Sequence, residues 1–144
     1  MTFEGLPSNK IPTLPTFLIV GAAKSGTISL YHYLSQHPDI YMPPNKEPHW
    51  FSRLPYVPDR DSHPVNSEEE YLDLFKGRDR ESAIGEASPS YLWDEKAPYR
   101  IKEAIPQARI IAILRHPVER AYSHYMMDVR MDKQDLLNTA GQWI

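Results

Sequence analysis

The stretch that decides the fold reads Phe17-Leu18-Ile19-Val20-Gly21-Ala22-Ala23-Lys24-Ser25-Gly26-Thr27. Its first four residues form a continuous apolar run after Pro15, which is typical of a strand buried on both faces. Apolar residues at helical spacing follow the glycine-bearing turn and predict a helix over about 26–36. A strand, a glycine loop and a helix in this order direct backbone N–H groups and a helix N-terminus at an anion. The stretch therefore predicts an anion-binding loop.

Further strands and helices alternate along the rest of the chain. The clearest later strand covers 109–114, and a helix over 118–130 follows it, with Pro117 near its first turn. Other elements are predicted as strands at 40–42 and 83–86, and as helices at 67–77, capped by Ser67, and at 99–105. This alternation predicts an α/β fold, a three-layer sandwich with a central parallel sheet, which binds ligands at the carboxyl ends of its strands.

The last predicted helix carries an apolar face. Its residues Tyr122, Tyr125, Met126 and Val129 recur at helical spacing, and we predict that they face the core.

Composition limits the class of protein. The chain has 144 residues, a formal net charge of −3 and no cysteine, so disulfides and thiolate metal sites are excluded. The charge does not indicate nucleic acid or an anionic membrane as a partner, and no apolar run reaches the roughly 20 residues of a membrane span. The histidines show no metal-ligand spacing. We predict a soluble, cytoplasmic protein with an extended lead-in over 1–15 and one domain over 16–144.

The anion-binding loop differs from that of nucleotide triphosphatases, which reads G-x-x-x-x-G-K-[ST]. Here Gly21 and Gly26 keep the glycine spacing, but Thr27 follows directly and the lysine stands earlier, at Lys24. After the later strand, Arg115 stands where a triphosphatase has a magnesium-binding aspartate. Two cations at two strand ends predict an anion site that works without a metal.

Residues 24–27 and 114–123 together resemble the two cofactor-binding motifs of the sulfotransferases. The resemblance implies a P-loop nucleotide-hydrolase-like fold. It also implies an enzyme that takes a sulfuryl group from 3′-phosphoadenosine 5′-phosphosulfate (PAPS), passes it to an acceptor hydroxyl and leaves adenosine 3′,5′-bisphosphate (PAP).

The same resemblance assigns individual residues. It implies that Lys24 neutralises charge on the bridging oxygen during transfer. The family usually has a second hydroxyl residue where this chain has Ile28, and we expect Ser29 and backbone N–H groups to compensate. The cofactor-binding residues it implies are Lys24, Ser25, Gly26, Thr27, Ile28 and Ser29 for the 5′ end, and Arg115 and Ser123 for the 3′-phosphate.

The segment Asn45-Lys46-Glu47-Pro48-His49-Trp50-Phe51 resembles the Lys-Glu-x-x-Phe-Phe segment of heparan-type and related bacterial sulfotransferases. The resemblance implies Glu47 as the catalytic base, with His49 as its partner or as an alternative base. We expect Trp50 and Phe51 to form an apolar wall that raises the pKa of the carboxyl group. A structural alternative stays open, in which Glu47 is a surface acid and the two aromatic residues belong to the core.

Residues 85–92 are similar to a Gly-Glu-x-[ST]-Pro-x-Tyr segment of related sulfotransferases. Either Glu86 and Ser88 shape the site, or the segment is an ordinary turn, which we favour. Ala87 stands where the glycosaminoglycan enzymes often have lysine, which weakens the case for an acidic polysaccharide. The acceptor, a small molecule or a carbohydrate, stays open.

Two other functions stay open as well. One is a P-loop kinase or nucleotide-binding protein with an altered loop, and the other is a non-catalytic cofactor-binding module. Because catalytic domains of the family continue well beyond the second motif, we expect this chain to be an amino-terminal fragment that binds the cofactor weakly and turns over little.

Overall fold

A parallel sheet forms the centre of the computed structural model, which describes residues 14–52 and 64–130. The predicted lead-in lies outside these ranges except for Leu14 and Pro15. The strands of the described residues are β1 Phe17–Gly21, β2 Ile40–Tyr41, β3 Ala83–Ala87 and β4 Arg109–Ala112. They pair in the order β2-β3-β1-β4, and each pairing is parallel. All four predicted strands are therefore confirmed, and the weakest of them, β3, lies inside the sheet.

Helices connect the strands, as parallel pairing requires. In the described residues they are α1 Thr27–Leu34, α2 Glu68–Asp73, α3 Ala97–Ala104 and α4 Pro117–Arg130, with a 3-10 helix at Pro89–Leu92. The predicted cap of α2 is confirmed, because Ser67 Oγ accepts a 3.1 Å hydrogen bond from the Glu70 N–H. That helix ends before Gly77, since its last turn tightens into i→i+3 hydrogen bonds from Leu74 onward.

The side chains of β1 alternate between two apolar clusters, because successive residues of a strand point to opposite faces. Leu18 packs in one cluster with Tyr71 and Ile101, near α2 and α3. Ile19 packs in the other with Tyr31 of α1. All five residues of β1 are buried. Helices thus cover both faces of the sheet, which confirms the predicted three-layer α/β sandwich.

The fourth strand lies at the edge of the described sheet and is exposed, with Ile110 54% accessible. It ends at Ala112, two residues before the predicted end. Pairing with the chain after β1 nevertheless continues, because the Ile113 N–H donates to Gly21 O at 2.7 Å and the Ala22 N–H donates to Ile113 O at 2.8 Å. These two hydrogen bonds hold the segments that follow β1 and β4 side by side.

Candidate active site

The loop after β1 has an unusual backbone. Lys24 has a φ of 65° and Gly26 a φ of 99°, in a region that glycine enters readily and lysine seldom does. Gly26 is also the N-cap of α1, whose first residue, Thr27, is buried. Ser25 Oγ is buried with no hydrogen-bond partner in the described structure. Leaving a buried polar group unpaired costs about 1–3 kcal/mol, so this hydroxyl is well suited to a ligand.

The start of the loop is covered closely by the 3-10 helix. A Cβ built on Gly21 would lie 2.8 Å from Leu92 Cβ and 3.2 Å from the Pro89 carbonyl oxygen. Only glycine leaves room for this approach. The first glycine of the motif therefore serves packing, and the second serves the backbone turn.

A cleft of about 490 Å³ opens beside the loop, a volume typical of small-ligand sites. Its cations come from three places in the chain: Lys24 in the loop, Arg115 after β4 and Arg130 at the end of α4. The remaining lining residues are Glu119, Tyr122, Ser123, Met126 and Met127. Three cations and one carboxylate give the cleft a positive potential that attracts an anion.

Arg115 is paired as well as exposed to the cleft. Its Nε donates to Glu119 Oε2 at 3.1 Å, one turn along α4. Both side chains are well exposed, so the pair contributes only about 0–1 kcal/mol to stability. Arginine has five N–H donors, and this bond uses one of them. The pair directs the guanidinium group without saturating it.

A histidine of α4 lies near the loop lysine. Burial lowers the pKa of His124, the positive charges of Arg120 and Lys24 lower it further, and Asp128, 3.8 Å from its Nε2, only partly offsets them. The imidazole is therefore neutral at neutral pH. The positive charge of the cleft comes from lysine and arginine. No cluster of three His, Asp or Glu side chains suited to a metal ion occurs in the described ranges.

Glu47 lies at the carboxyl end of β3. Its N–H donates to the Ala87 carbonyl at 3.1 Å, and two residues later the His49 N–H donates to Ser88 Oγ at 3.1 Å. Glu47 and His49 have φ values of 57° and 53°, a conformation that costs on the order of 1–3 kcal/mol for each non-glycine residue. Such strain persists only where contacts impose it, and it is common in functional segments.

Two partners flank the Glu47 carboxylate. Lys46 Nζ contacts Oε1, and His49 Nε2 lies 3.4 Å from Oε2. Burial raises the pKa of Glu47, but the hydrogen bond from His49 and the charge of Lys46 together outweigh it, so the net pKa lies below the usual value. The expectation of a raised pKa is therefore wrong. The carboxyl group is ionised at neutral pH and can accept a proton.

The two aromatic residues after His49 belong to the core. Phe51 is 2% exposed and packs edge-to-face on Tyr71 and Tyr91, with ring centroids 5.6 Å away in each case. Trp50 stacks on Tyr71 at 5.3 Å. For these two residues the structural alternative is the one observed, and their packing leaves the pKa of Glu47 to its polar neighbours.

Glu86 is a second acid, fully buried within β3. Tyr71 donates its hydroxyl hydrogen to Oε2 at 2.8 Å. Burial raises the pKa of Glu86, and hydrogen bonds with Ser88, Tyr71 and Tyr91 offset that only in part. The segment after it is a 3-10 helix rather than the ordinary turn we favoured, and the buried Ser88 N–H donates to Ile19 O at 3.1 Å.

The structure brings together only some of the residues singled out in the sequence. Lys24, Arg115 and Ser123 line one cleft. Glu47 and His49 are absent from that lining. They belong to the segment after β2 and lie beside the carboxyl end of β3, the strand next to β1. On the first turn of α1, Ile28 and Ser29 are both exposed.

Most of the cleft residues on α4 were not predicted from the sequence as site residues. Tyr122 is 66% exposed, and it lines the cleft together with Met126, so the prediction that this face is buried in the core is wrong. The helix follows an exposed edge strand, where the described residues offer little to pack against. A usable signal existed, because Glu119, Ser123 and Arg130 recur at helical spacing on the same face as these residues.

The comparisons with known proteins bear on this arrangement. The family model of the sulfotransferase domain matches residues 14–143. This chain belongs to the sulfotransferase family. A solved structure of a sulfotransferase from Alicyclobacillus acidocaldarius is 46% identical and superposes with a TM-score of 0.77, over 86% of this chain and 53% of that chain. Membership in this family favours the interpretation of residues 21–27 as a phosphosulfate-binding loop over the alternative of a P-loop kinase.

This sulfotransferase chain also resembles longer curated proteins. Human carbohydrate sulfotransferase 15 is 36% identical over an alignment of 158 positions, gaps included. The alignment covers 81% of this chain and 28% of that protein. The membrane-associated sulfotransferase kil1 of Dictyostelium discoideum is 32% identical over 129 residues, covering 88% of this chain and 26% of that protein. The chain thus spans about half of the solved structure and under a third of these two relatives.

The second relative corrects the expected location. A cytoplasmic protein was inferred from the lack of cysteine and of a long apolar run, and the comparison with a membrane-associated sulfotransferase shows this inference to be wrong. Neither feature identifies a compartment directly, because a chain without cysteine is compatible with both oxidising and reducing locations. Within the part of the sulfotransferase chain that the structure describes, no helix has the length and apolar character needed to cross a bilayer.

Proposed function

We propose that this chain binds PAPS in the cleft beside the β1 loop and serves sulfuryl transfer to an acceptor hydroxyl, with Glu47 as the base. One observation carries the proposal. Lys24 and Arg115, which follow two adjacent parallel strands, line the same cleft, and Ser25 in the same loop has a buried, unpaired hydroxyl. When bound, the cofactor supplies the sulfuryl group that is transferred.

The residues present are suited to a ligand with phosphate at both ends. For the 5′ end we propose the N-terminus of α1 with the hydroxyls of Ser25 and Thr27, which follow the cleft residue Lys24 in the same loop. Across the cleft, Arg115 and Ser123 offer a guanidinium group and a hydroxyl to the 3′-phosphate. Ile28 has no side-chain donor, so the 5′-phosphate depends on its neighbours and on backbone N–H groups.

Glu47 and Lys24 act on opposite ends of the transfer, Glu47 on the proton of the acceptor and Lys24 on the negative charge of the departing cofactor. The Glu47 carboxylate, ionised at neutral pH, takes the proton of the acceptor hydroxyl as that oxygen becomes nucleophilic. Lys24 balances the negative charge left on the 5′-phosphate oxygen. The base lies beside the carboxyl end of β3 and the cation follows β1, the neighbouring strand, so the two ends of the transfer have opposite charges to serve them.

We propose a carbohydrate hydroxyl as the acceptor, because a relative is named a carbohydrate sulfotransferase. Ala87 is 2% exposed and packs in the cluster with Ile19 and Tyr31. A side chain at this buried position is poorly placed to offer a cation to an acidic sugar, which favours an acceptor segment of low charge.

Calorimetry with PAP in the absence of metal tests the cofactor site. We expect the wild-type chain to bind and Arg115→Ala to bind about 10- to 150-fold more weakly, since charged hydrogen bonds contribute about 1.5–3 kcal/mol. Arg109→Ala is the matched control, because it removes another exposed arginine at the far end of the same strand. Equal affinities of wild type and Arg115→Ala, or binding that requires magnesium, would contradict the proposal.

A further inference from the structure

The His49 side chain is fixed by the segment that follows β3. Ser90 Oγ lies 2.6 Å from His49 Nδ1, and Ser88 Oγ accepts the His49 backbone N–H. All three residues are buried, with His49 and Ser90 each 6% exposed. The imidazole therefore cannot rotate without breaking a hydrogen bond inside the protein, where water does not replace it.

The partners of the two ring nitrogens decide where the hydrogen lies. Nε2 faces Glu47 Oε2 at 3.4 Å, and an ionised carboxylate can only accept. The contact is attractive only if Nε2 carries the hydrogen. In a neutral imidazole the lone pair is then on Nδ1, and it accepts the O–H of Ser90.

We propose that Ser90 is a positioning residue: its hydroxyl, donated to Nδ1, holds the His49 ring so that Nε2–H, the tautomer that the Glu47 carboxylate selects, donates to Glu47. The catalytic meaning of this arrangement rests on the proposed role of Glu47, whereas the tautomer does not. With its one lone pair occupied by Ser90, His49 has no site for a substrate proton. The choice between the two candidate bases then falls on Glu47.

The rigidity of the 3-10 helix makes Ser90 suitable for this task. Backbone hydrogen bonds from Trp93 and Asp94 to the Ser90 carbonyl close the turn. On the same short helix, Leu92 packs against Gly21 at the start of the anion-binding loop. One rigid element thus supports both the base and the loop, and sites built on such elements hold their geometry best.

Nitrogen-15 NMR of the full chain tests the tautomer without requiring turnover. In long-range proton–nitrogen spectra at pH 7–9, we expect His49 Nε2 to show a protonated, pyrrole-type shift and Nδ1 a pyridine-type shift. His49→Gln identifies these signals among the six histidines, and sequential assignment serves if that variant does not fold. An Nδ1–H tautomer, an even mixture, or a ring doubly protonated throughout would overturn the proposal.

Variants of Ser90 test the hydroxyl itself. Ser90→Ala should keep the Nε2–H tautomer, which Glu47 selects, but Nδ1 loses its hydrogen-bond donor, so its nitrogen signal should move downfield. Ser90→Thr, which keeps the hydroxyl, should restore the wild-type shift. Ser35→Ala, which removes another serine hydroxyl, bonded to the Tyr31 carbonyl, should leave His49 unchanged. An unchanged Nδ1 shift in Ser90→Ala would refute the positioning role, and if neither Ser90 variant folds, the wild-type spectrum alone decides.

Turnover separates this inference from the proposed function. We expect Ser90→Ala to lower kcat about 10- to 100-fold, the effect of removing the outer partner of a functional histidine, without changing the affinity for PAP. Full activity of Glu47→Gln would refute Glu47 as the base while leaving the tautomer intact. If Glu47→Gln is inactive but wild-type His49 carries its hydrogen on Nδ1, only the proposed role of Ser90 is refuted.

Discussion

The hydrogen bond from Tyr71 to Glu86 should make the stability of the protein depend on pH. Both residues are fully buried, and the phenol donates to Oε2 at 2.8 Å. Tyr71→Phe removes this donor and keeps the ring, which packs against Trp50, Phe51 and Phe75. The substitution therefore isolates the hydrogen bond from the aromatic packing around it.

The cost of Tyr71→Phe should grow as pH rises. Because burial raises the pKa of Glu86 above its unfolded value, its contribution to stability is fully present below the unfolded pKa. That contribution is lost as pH increases through the folded pKa. The Tyr71 hydrogen bond counters this loss by stabilising the carboxylate. We expect a cost of about 0.5–1.5 kcal/mol near pH 4.5, as for a neutral hydrogen bond, and about 1.5–3 kcal/mol at pH 8, as for a charged one.

Urea denaturation at both pH values measures these costs. Tyr31→Phe is the matched control, because it removes a buried phenol that donates to the Pro43 carbonyl at 2.6 Å. A backbone carbonyl does not titrate, so the cost of this control should be the same at both pH values. The reasoning is refuted if the cost of Tyr71→Phe is also independent of pH, or if it decreases at pH 8.

Two further substitutions test the base and the sheet. Glu47→Gln should lower kcat for sulfation of a carbohydrate acceptor about 10²- to 10⁴-fold, which is the usual contribution of a general base. Calorimetry should show an unchanged affinity for PAP. A change in affinity instead of kcat would contradict a role in proton transfer. Gly85→Ala should lower the free energy of unfolding by about 1–3 kcal/mol in urea, because the added Cβ would overlap Phe17 and Met42. A loss below about 0.5 kcal/mol, the usual size of a substitution without packing consequences, would show that packing does not limit Gly85.

The fold was predictable where the signal was local. The apolar run of β1 is short and continuous, which is typical of a buried strand, and all of β1 is buried. Ser67 marks the start of α2, because capping depends on residues three positions apart. The exposure of β4 was not predictable, since an apolar sequence such as Ile110-Ile111 does not report which strands will flank it. Sheet order is a property of long-range pairing, and the sequence pattern contains it only indirectly.

The candidate site divides in the same way. Lys24 and Arg115 could be placed together because each follows a strand and parallel strands end at one edge. The direction of the Glu47 pKa shift depends on which of its neighbours in sequence reach the carboxylate, and the sequence does not show this. Trp50 suggested an apolar environment, but that residue turns into the core, whereas a histidine ring fixed from beyond β3 reaches the carboxylate.

The short 3-10 helix after β3 contacts both the anion-binding loop and the histidine beside the proposed base, although no single motif contains both. Leu92 touches the first glycine of the loop, and two positions earlier Ser90 touches the histidine that faces Glu47. Residues this close on a rigid turn cannot move independently, so the spacing between the anion-binding loop and the carboxylate is set by a four-residue element. The segment over 85–92, which is predicted as an ordinary turn when taken alone, thereby connects the anion-binding loop with the segment over 45–51 that contains Glu47. Substitutions that loosen the packing of this helix, unlike Ser90→Ala, which removes only a hydroxyl group, should lower both the affinity for PAP and kcat, because both depend on that packing.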